Sequence, residues 1–362
     1  MSRPVRESLK QIDAVSWLIG DKFILSKTLD ATKCARTWPA DDGTFYSISI
    51  APIVPPSAGP LWTDSQFRKI HDAGDCAAVW DMGAFFLKIH DTPFKLQDMP
   101  SRDSATKEHT TLTWLAEQNL SFAVPKLLFH AEDGTRDYLI ITRVPGETIF
   151  KAWHGMGEEE RRVYARRVAE IIEEMSKWES NSITGIDGKR MADSWMDIVP
   201  ELSSDGFAPE ALRRIFEALG MNCSSLFFCH CDLGPDNIVV DREKQCVGVI
   251  DWENAGYVPK AWPRTKAECS GGLDLDYTKE DYSDEAVLAA KQKEWRLMLA
   301  KALEEKRFPQ VSEAYKQARA EKNRIYLSER PWLIGETQNA VKPPHSIDIK
   351  SQPQAIAPAK QS

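Results

Sequence analysis

A cluster of polar residues that could do chemistry lies between residues 230 and 251. The chain reads His-Cys-Asp-Leu-Gly-Pro-Asp-Asn over residues 230–237, and Asp251 opens an Asp-Trp-Glu triplet fourteen residues after Asn237. Phosphoryl transfer from ATP needs a carboxylate that orients an acceptor hydroxyl, and an amide and a second carboxylate that hold Mg²⁺ on the triphosphate. Asp232 is therefore the candidate base, and Asn237 and Asp251 are the candidate metal ligands.

Two short apolar runs between these residues predict a β-hairpin. Residues 237–241 and 246–250 are rich in β-branched side chains, and a polar turn separates them. If the hairpin pairs symmetrically about Lys244, Asn237 and Asp251 lie opposite each other at its open end. Two oxygen ligands at the mouth of an apolar hairpin would suit Mg²⁺. The alternative is an ordinary hairpin with polar ends, which explains either residue alone better than it explains the whole set.

The segment of residues 228–259 resembles the aminoglycoside phosphotransferase family, which is similar in fold to choline kinases and protein kinases and has many fungal members without an assigned substrate. The family pattern His-x-Asp-Leu-x-Pro-x-Asn is matched over residues 230–237, and its Asp-Trp-Glu over residues 251–253. The resemblance implies an α+β, bilobal, protein-kinase-like fold with a small β-rich N-lobe and a larger, mainly helical C-lobe. It also implies transfer of the γ-phosphoryl group of ATP, with Mg²⁺, to a hydroxyl of a small molecule.

The same resemblance implies a role for each residue of the motif. Asp232 would be the catalytic base, and Asn237 and Asp251 would be the metal ligands. His230 would brace the loop rather than take part in the reaction. Asp236 stands where the family often has glycine, which is a departure at a turn position.

A lysine and a glutamate upstream could form the ion pair that holds the ATP phosphates. Residues 76–89 read as a hairpin whose apolar second strand carries Lys88, and Glu108 lies on the core face of the helix predicted next. A buried ammonium needs a partner, so we predict a Lys88–Glu108 pair of the kinase type, as the resemblance also implies. The alternative is a snorkelling lysine and a solvated glutamate. The phosphate-covering loop, residues 71–80, is weaker, because it offers Gly74 alone.

A second predicted hairpin, residues 126–143, ends at a Val-Pro-Gly sequence where regular structure must stop. A hinge between two lobes belongs at this junction. The backbone from Thr142 to Val144 would then meet the edge of adenine, and the alternative is a plain turn. Residues 158–178 follow with an apolar stripe and acids at their N-terminal end, which predicts a scaffold helix of the larger lobe.

Composition limits the class of protein. A net charge of −8 and a pI near 5.5 argue against a general binder of nucleic acid or acidic membranes. The start of the chain lacks the apolar stretch of a secretory signal, and no apolar run is long enough to span a membrane. Seven irregularly placed cysteines fit a reducing compartment. These features favour a cytoplasmic protein with no nucleic-acid or membrane partner. Together with the motif and the resemblance, they predict an enzyme that uses ATP, Mg²⁺ and a small-molecule hydroxyl acceptor.

Pattern changes divide the chain into four parts. Residues 1–62 are an N-terminal extension, residues 63–144 the N-lobe, residues 145–331 the C-lobe with the catalytic loop, and residues 332–362 a disordered tail. An acidic stretch, residues 274–285, could attract a cationic acceptor, although a run of charge is usually a solvated loop.

Two functions from different classes fit these features. The first is a small-molecule kinase. It is favoured because the sequence retains every polar group that the chemistry needs. The second is a catalytically silent nucleotide-binding scaffold whose N-terminal extension binds a protein partner. It is favoured because the phosphate-covering loop, residues 71–80, has a single glycine. Protein-kinase activity is weaker, because the sequence contains no Asp-Phe-Gly, and its Ala-Pro-Glu, residues 208–210, precedes the 230–237 motif and so cannot frame an activation loop after it. The acceptor is not identified by the sequence.

Overall fold

A computed structural model describes residues 4–30, 36–40, 42–63, 65, 67–91, 105–191, 193–196, 198 and 207–329. The chain divides into two compact units. Unit 1 contains the described residues up to Asp91 together with Ala131–Tyr138, and unit 2 contains those of Thr92–His130 and Leu139–Asn339. The predicted disordered tail lies outside the described residues.

Unit 1 begins with a five-stranded antiparallel sheet built from the predicted N-terminal extension. Its strand order is β1-β2-β3-β5-β4. The strands are β1 (Leu9–Asp13), β2 (Ser16–Ile19), β3 (Phe23–Thr28), β4 (Thr37–Pro39) and β5 (Phe45–Ile50). The turn after β2 needs a glycine: Gly20 has a φ of +61°, and an added Cβ would lie 2.2 Å from the hydroxyl of Tyr138.

A second sheet has the strand order β6-β7-β8-β10-β9. Its strands are β6 (Arg68–Asp72), β7 (Ala77–Asp81), β8 (Phe85–Asp91), β9 (Leu127–Asp133) and β10 (Arg136–Thr142). The two predicted hairpins are therefore present as β7–β8 and β9–β10. Along β8, buried residues alternate with half-buried ones, as expected when successive side chains point to opposite faces of a strand.

The core of unit 1 is aromatic. Phe85 is fully buried, and its ring centroid lies 4.8 Å from that of Tyr46 and 5.5 Å from that of Trp38. A buried ion pair lies at the end of β8, where Arg136 Nε donates to Asp91 Oδ2 at 2.7 Å. Aromatic packing and this ion pair hold the strands of unit 1 together.

Unit 2 contains most of the helical residues that the structure describes. Two three-stranded sheets have the orders β11-β14-β15 and β12-β13-β16. Their strands are β11 (Glu147–Thr148), β12 (Glu179–Ser180), β13 (Leu226–Cys229), β14 (Ile238–Asp241), β15 (Cys246–Val249) and β16 (Gly256–Pro259). The α-helices are α1 (Glu108–Leu115), α2 (Ile149–Ala152), α3 (Glu158–Met175), α4 (Pro209–Ala218), α5 (Trp262–Cys269), α6 (Glu285–Gln292), α7 (Glu294–Glu305) and α8 (Ser312–Glu329). A β-rich first part and a mainly helical second part confirm the predicted α+β class.

Helix α3 forms where the apolar stripe predicts it. Its buried residues include Tyr164, Val168, Ile171, Ile172 and Met175, and α3 packs against α7. Three glutamates in its first turn interact favourably with the helix dipole. Over the ranges that the structure describes, every helix is too short or too polar to cross a membrane.

The aromatic core predicts a large effect of one substitution. Phe85→Ala should lower the free energy of unfolding by about 3–5 kcal/mol, because the lost ring leaves a cavity among side chains that cannot close it. Urea denaturation measures the change. Ile53→Ala is the matched control, since Ile53 is fully exposed and its truncation should change stability by less than about 0.5 kcal/mol. Equal effects of the two substitutions would contradict a packed core at Phe85.

Candidate active site

Asp232 lies in a loop between two small sheets of unit 2. Strand β13 ends at Cys229, and residues 230–237 lead into β14. After β15 the chain turns at Asp251 into a short 3₁₀ helix, Trp252–Asn254. Residues of β13, β14 and β15 are mostly buried, so the core anchors both ends of the segment.

Every backbone carbonyl from residue 231 to residue 235 accepts a hydrogen bond. The donors are the Lys266 Nζ to Cys231, the Asn237 side chain to Asp232 at 2.8 Å, the Trp295 indole to Leu233 at 3.0 Å, the Asn237 amide to Gly234 at 3.0 Å and the Phe150 amide to Pro235 at 3.1 Å. Helices α2, α5 and α7 supply three of these donors. Because a buried carbonyl without a partner is costly, these bonds define one conformation of the loop.

His230 braces the start of the loop. The Asp232 amide donates to His230 Nδ1 at 3.1 Å, and His230 Nε2 donates to the Ile250 carbonyl at 2.9 Å. The ring is fully buried, edge-on to Trp252 with centroids 4.6 Å apart. These partners define a neutral imidazole with its proton on Nε2, so neither ring nitrogen is open to a metal. The geometry agrees with the bracing role that the resemblance implies.

The register of the β14–β15 hairpin differs by one residue from the one expected for a turn centred on Lys244. The Ile250 amide donates to the Asn237 carbonyl at 2.9 Å, so Asn237 faces Ile250 and not Asp251. The prediction that Asn237 and Asp251 lie directly opposite each other is therefore wrong by one residue. The reason is the length of the turn. Four residues, 242–245, lie between the last paired residues, Asp241 and Cys246, so the centre of the hairpin falls just before Lys244 and not on it.

A left-handed backbone at Asp251 ends the strand and changes the direction of the chain. Asp251 has φ 66° and ψ 63°, a conformation that disfavours residues with a Cβ by about 1–2 kcal/mol and is common at functional sites. Strand alternation therefore does not determine where the Asp251 side chain points. Its carboxylate lies close enough to Asp232 to raise the pKa of that group.

Glu108 connects helix α1 to the Asp-Trp-Glu turn. It is the first residue of α1, is buried as predicted, and accepts a hydrogen bond from the Trp252 amide at 3.2 Å. Trp252 is fully buried, and its indole donates to the Val249 carbonyl at 2.9 Å. Helix α1 is thereby linked to the residue that follows Asp251.

Lys88 and Gly74, the predicted phosphate-binding residues, belong to unit 1. Lys88 is half-buried in β8. Gly74 has a φ of +66° in the turn between β6 and β7, where its amide donates to Asp72 Oδ1 at 2.9 Å. The Gly74 amide is therefore already used within its own turn. Pairing of Lys88 with Glu108, which belongs to unit 2, stays a prediction.

Thr142, the last residue of β10, and Val144, two residues further on, are the predicted adenine-binding residues. The Thr142 amide donates to the Lys126 carbonyl at 2.9 Å, so it is used within the β9–β10 hairpin. Val144 is buried against the hairpin strand β15, where a Cβ on Gly248 would lie 2.4 Å from its Cγ1. The predicted adenine contact would therefore need backbone groups beyond the Thr142 amide.

Asp232 carries an unusual carboxyl group. Burial, together with the negative charges of Asp193, Asp251 and Glu253, raises its pKa to about 6, although the Lys266 ammonium opposes the rise. The side chain is still 30% exposed and so is open to a reactant. A carboxylate with a pKa near the working pH is suited to proton transfer.

No motif in the sequence predicts the buried ion pair beneath Asp232. Lys266 Nζ lies 2.7 Å from Asp193 Oδ2 and 3.9 Å from Asp232 Oδ1, and the Lys266 and Asp193 side chains are 4% and 3% exposed. Burial acts to lower the pKa of Lys266, but the two carboxylates outweigh it and raise that pKa. The only sequence signal is a single lysine in α5, and nothing in the sequence connects it to residue 193.

The acidic stretch, residues 274–285, is partly engaged in local structure. Asp274 forms an ion pair with an arginine of α7, and Asp284 caps helix α6. Asp276 is exposed and lies near Asp236, whose pKa is raised by burial and by the charge of Asp276. Asp276 of the acidic stretch thus lies near Asp236 of the loop of residues 230–237.

Comparison with known proteins places the chain among phosphotransferases. The model of the phosphotransferase enzyme family matches residues 76–261, which is just over half of the chain. The chain belongs to this family, which confirms the resemblance drawn from residues 228–259.

One curated relative and several solved structures are similar to the chain. Probable ethanolamine kinase B of Dictyostelium discoideum is 30% identical over 112 residues, which cover 30% of this chain and 24% of that protein. The chain thus spans about a quarter of the length of this relative. Aminoglycoside phosphotransferase APH(3'')-Id from Streptomyces rimosus has a TM-score of 0.39 at 18% identity, covering 67% of this chain and 93% of that chain. Aminoglycoside-3'-phosphotransferase of type VIII has a TM-score of 0.37 at 16% identity, covering 67% and 94%.

The raised pKa of Asp232 predicts a pH dependence of stability. The folded state keeps a proton on Asp232 up to about pH 6, whereas the ordinary value is 3.8. Between these values the folded state binds more protons than the unfolded state, so the contribution of Asp232 to the free energy of unfolding falls as pH rises.

Asp232→Asn should remove that fall. Relative to wild type, the variant should gain at most about 3 kcal/mol of stability between about pH 4 and about pH 7. Urea denaturation at both pH values measures the difference. Parallel pH profiles for the two proteins would contradict a raised pKa at Asp232.

Proposed function

We propose that the protein is an ATP- and Mg²⁺-dependent phosphotransferase that transfers the γ-phosphoryl group to a hydroxyl of a small molecule. The observation that carries the proposal is the loop of residues 230–237, in which a solvent-accessible Asp232 lies on a backbone whose carbonyls from residue 231 to residue 235 all accept hydrogen bonds. Membership in the phosphotransferase enzyme family supports the same reaction class.

Asp232 would orient the acceptor hydroxyl and receive its proton. Phosphoryl transfer depends mainly on positioning and on electrostatic stabilisation, because the transition state is loose. A carboxylate on a fixed loop supplies positioning. Its raised pKa makes it a better proton acceptor than an ordinary aspartate once it is ionised.

Asn237 and Asp251 would hold Mg²⁺ of the bound nucleotide. The Asn237 Nδ2 donates to the Asp232 carbonyl at 2.8 Å, which leaves Oδ1 as the atom able to bind a cation. An amide oxygen and a carboxylate suit a hard cation, and the negative charge concentrated near Asp232 favours one. The nucleotide would supply the phosphoryl group, and the ion would neutralise charge that develops on it. Lys88, braced by Glu108, would bind the other phosphates.

We further propose that the acceptor carries an amine. Asp236 follows Asp232 by four residues and lies near Asp276, so two carboxylates would attract a cation. Two aromatic residues are neighbours of these acids along the backbone: the Phe150 amide donates to the Pro235 carbonyl, and Tyr277 follows Asp276. Their ring centroids lie 6.0 Å apart, and ring faces also attract cations. The name of the curated relative, an ethanolamine kinase, supports the same acceptor class.

Asp232→Asn tests the reaction. It should lower transfer by about 10²–10⁴-fold, since proton transfer by a positioned side chain contributes that much, while Mg²⁺–nucleotide still binds. The measurement uses γ-labelled ATP, Mg²⁺ and a metabolite extract. Glu243→Gln, in the exposed turn of the same hairpin, is the matched control and should keep full activity. Nucleotide binding without any transfer by wild type would favour the silent scaffold.

Asp236→Asn tests the acceptor class. The KM for an amino-alcohol should rise about 10–100-fold, as expected when a hydrogen bond to a charged group is lost, while the KM for ATP should stay the same. Initial rates with an amino-alcohol and with a neutral diol measure the contrast. The control is Glu280→Gln, an exposed acid of the same stretch. An unchanged KM for the amino-alcohol would contradict a role of Asp236 in binding the amine.

A further inference from the structure

The peptide bond between Cys231 and Asp232 is held on both sides. Its carbonyl accepts a hydrogen bond from Lys266 Nζ, and its N–H donates to His230 Nδ1 at 3.1 Å. Cys231 has a φ of 65°, a left-handed conformation that disfavours a residue with a Cβ by about 1–2 kcal/mol. Such a conformation persists only where the surroundings hold it. The orientation of this peptide therefore depends on its two partners.

Lys266 is the charged partner of this peptide, and its surroundings are dry. Its side chain is 4% exposed, and the nearest carboxylates are Asp193 Oδ2 at 2.7 Å and Asp232 Oδ1 at 3.9 Å. Replacing a buried ion pair by apolar residues is often neutral for stability, so the fold alone does not require an ammonium here. A lysine donates three hydrogen bonds, and Lys266 directs one of them to the Cys231 carbonyl.

We propose that Lys266 is a positioning residue of the site: with Asp193 as its counter-ion, it holds the Cys231 carbonyl and thereby orients the Asp232 carboxylate toward the acceptor. The catalytic part of this inference rests on the proposed function. Without the ammonium, Cys231 leaves the left-handed region and the peptide rotates. The Asp232 amide then loses His230, and the carboxylate moves away from the position that it holds in the intact loop.

A purely structural role makes a different prediction. If Lys266 serves only to neutralise Asp193, then removing both charges together should leave the loop and its chemistry intact. The double variant D193N/K266M removes both charges and also removes the donor to the Cys231 carbonyl. The single variant D193N removes the ion pair but keeps that donor. Comparing the two separates positioning from charge neutralisation.

Hydrogen exchange measured by mass spectrometry gives the readout that needs no activity. In D193N/K266M, amides of residues 230–237 should exchange at least about ten-fold faster than in wild type, which corresponds to about 1.4 kcal/mol of local protection, while α7 keeps its protection. D193N, which keeps the donor to the Cys231 carbonyl, should show a clearly smaller increase. The matched control is D91N/R136M, which removes the buried pair of unit 1 and should leave exchange of this loop unchanged. If D193N/K266M does not fold, D193N/K266L replaces it with the same expectation.

Kinetics give the second readout. In D193N/K266M, kcat should fall about 10²-fold, as expected for a displaced catalytic group, with the KM for ATP unchanged, and D193N, which keeps the donor to the Cys231 carbonyl, should lose at least about ten-fold less. Unchanged loop exchange in D193N/K266M, or equal loss in D193N and the double variant, would overturn the proposal. If wild type transfers no phosphoryl group, the proposed function fails, and loop exchange alone then decides the role of Lys266.

Discussion

The hydrogen bonds to the carbonyls of residues 231–235 are the constraint on which the candidate site depends. The loop that carries the proposed catalytic carboxylate has no strand ladder to fix it, yet each of these carbonyls has a donor. The donors come from α2, α5, α7 and Asn237, so the loop conformation is determined by packing of the whole of unit 2. Asn237 supplies two of the bonds, which ties the predicted metal ligand to the predicted base.

The electrostatics of the site follow from the same packing. Asp193, Asp251 and Glu253 all act on Asp232, and Lys266 is the cation that opposes them. Burial and these neighbouring carboxylates together raise the pKa of Asp232, because each negative charge disfavours the next. Such an arrangement would be unfavourable in a simple structural core. It would suit the proposed site for a divalent cation and a proton acceptor.

Different parts of the fold differ in how well local pattern predicts them. Helix α3 and the hairpins β7–β8, β9–β10 and β14–β15 were predictable, because each is a continuous run with a clear period or a short turn between two apolar runs. The five-stranded sheet of residues 9–50 was less so, since its strands are short and their alternation is weak. Tertiary packing, above all burial of Trp17, Trp38 and Tyr46, stabilises strands that local pattern alone leaves ambiguous.

The sequence by itself determined the residue types of the loop, its family, the α+β class and the core-facing position of Glu108. Only the tertiary structure decided the register that places Asn237 against Ile250, the left-handed backbone at Asp251, and the ion pair of Lys266 with Asp193. The physical reason is the range of the interactions. Side-chain spacing along one element is local, whereas turn geometry and a buried charge pair are settled by contacts between residues far apart in the chain, 73 positions apart for Lys266 and Asp193.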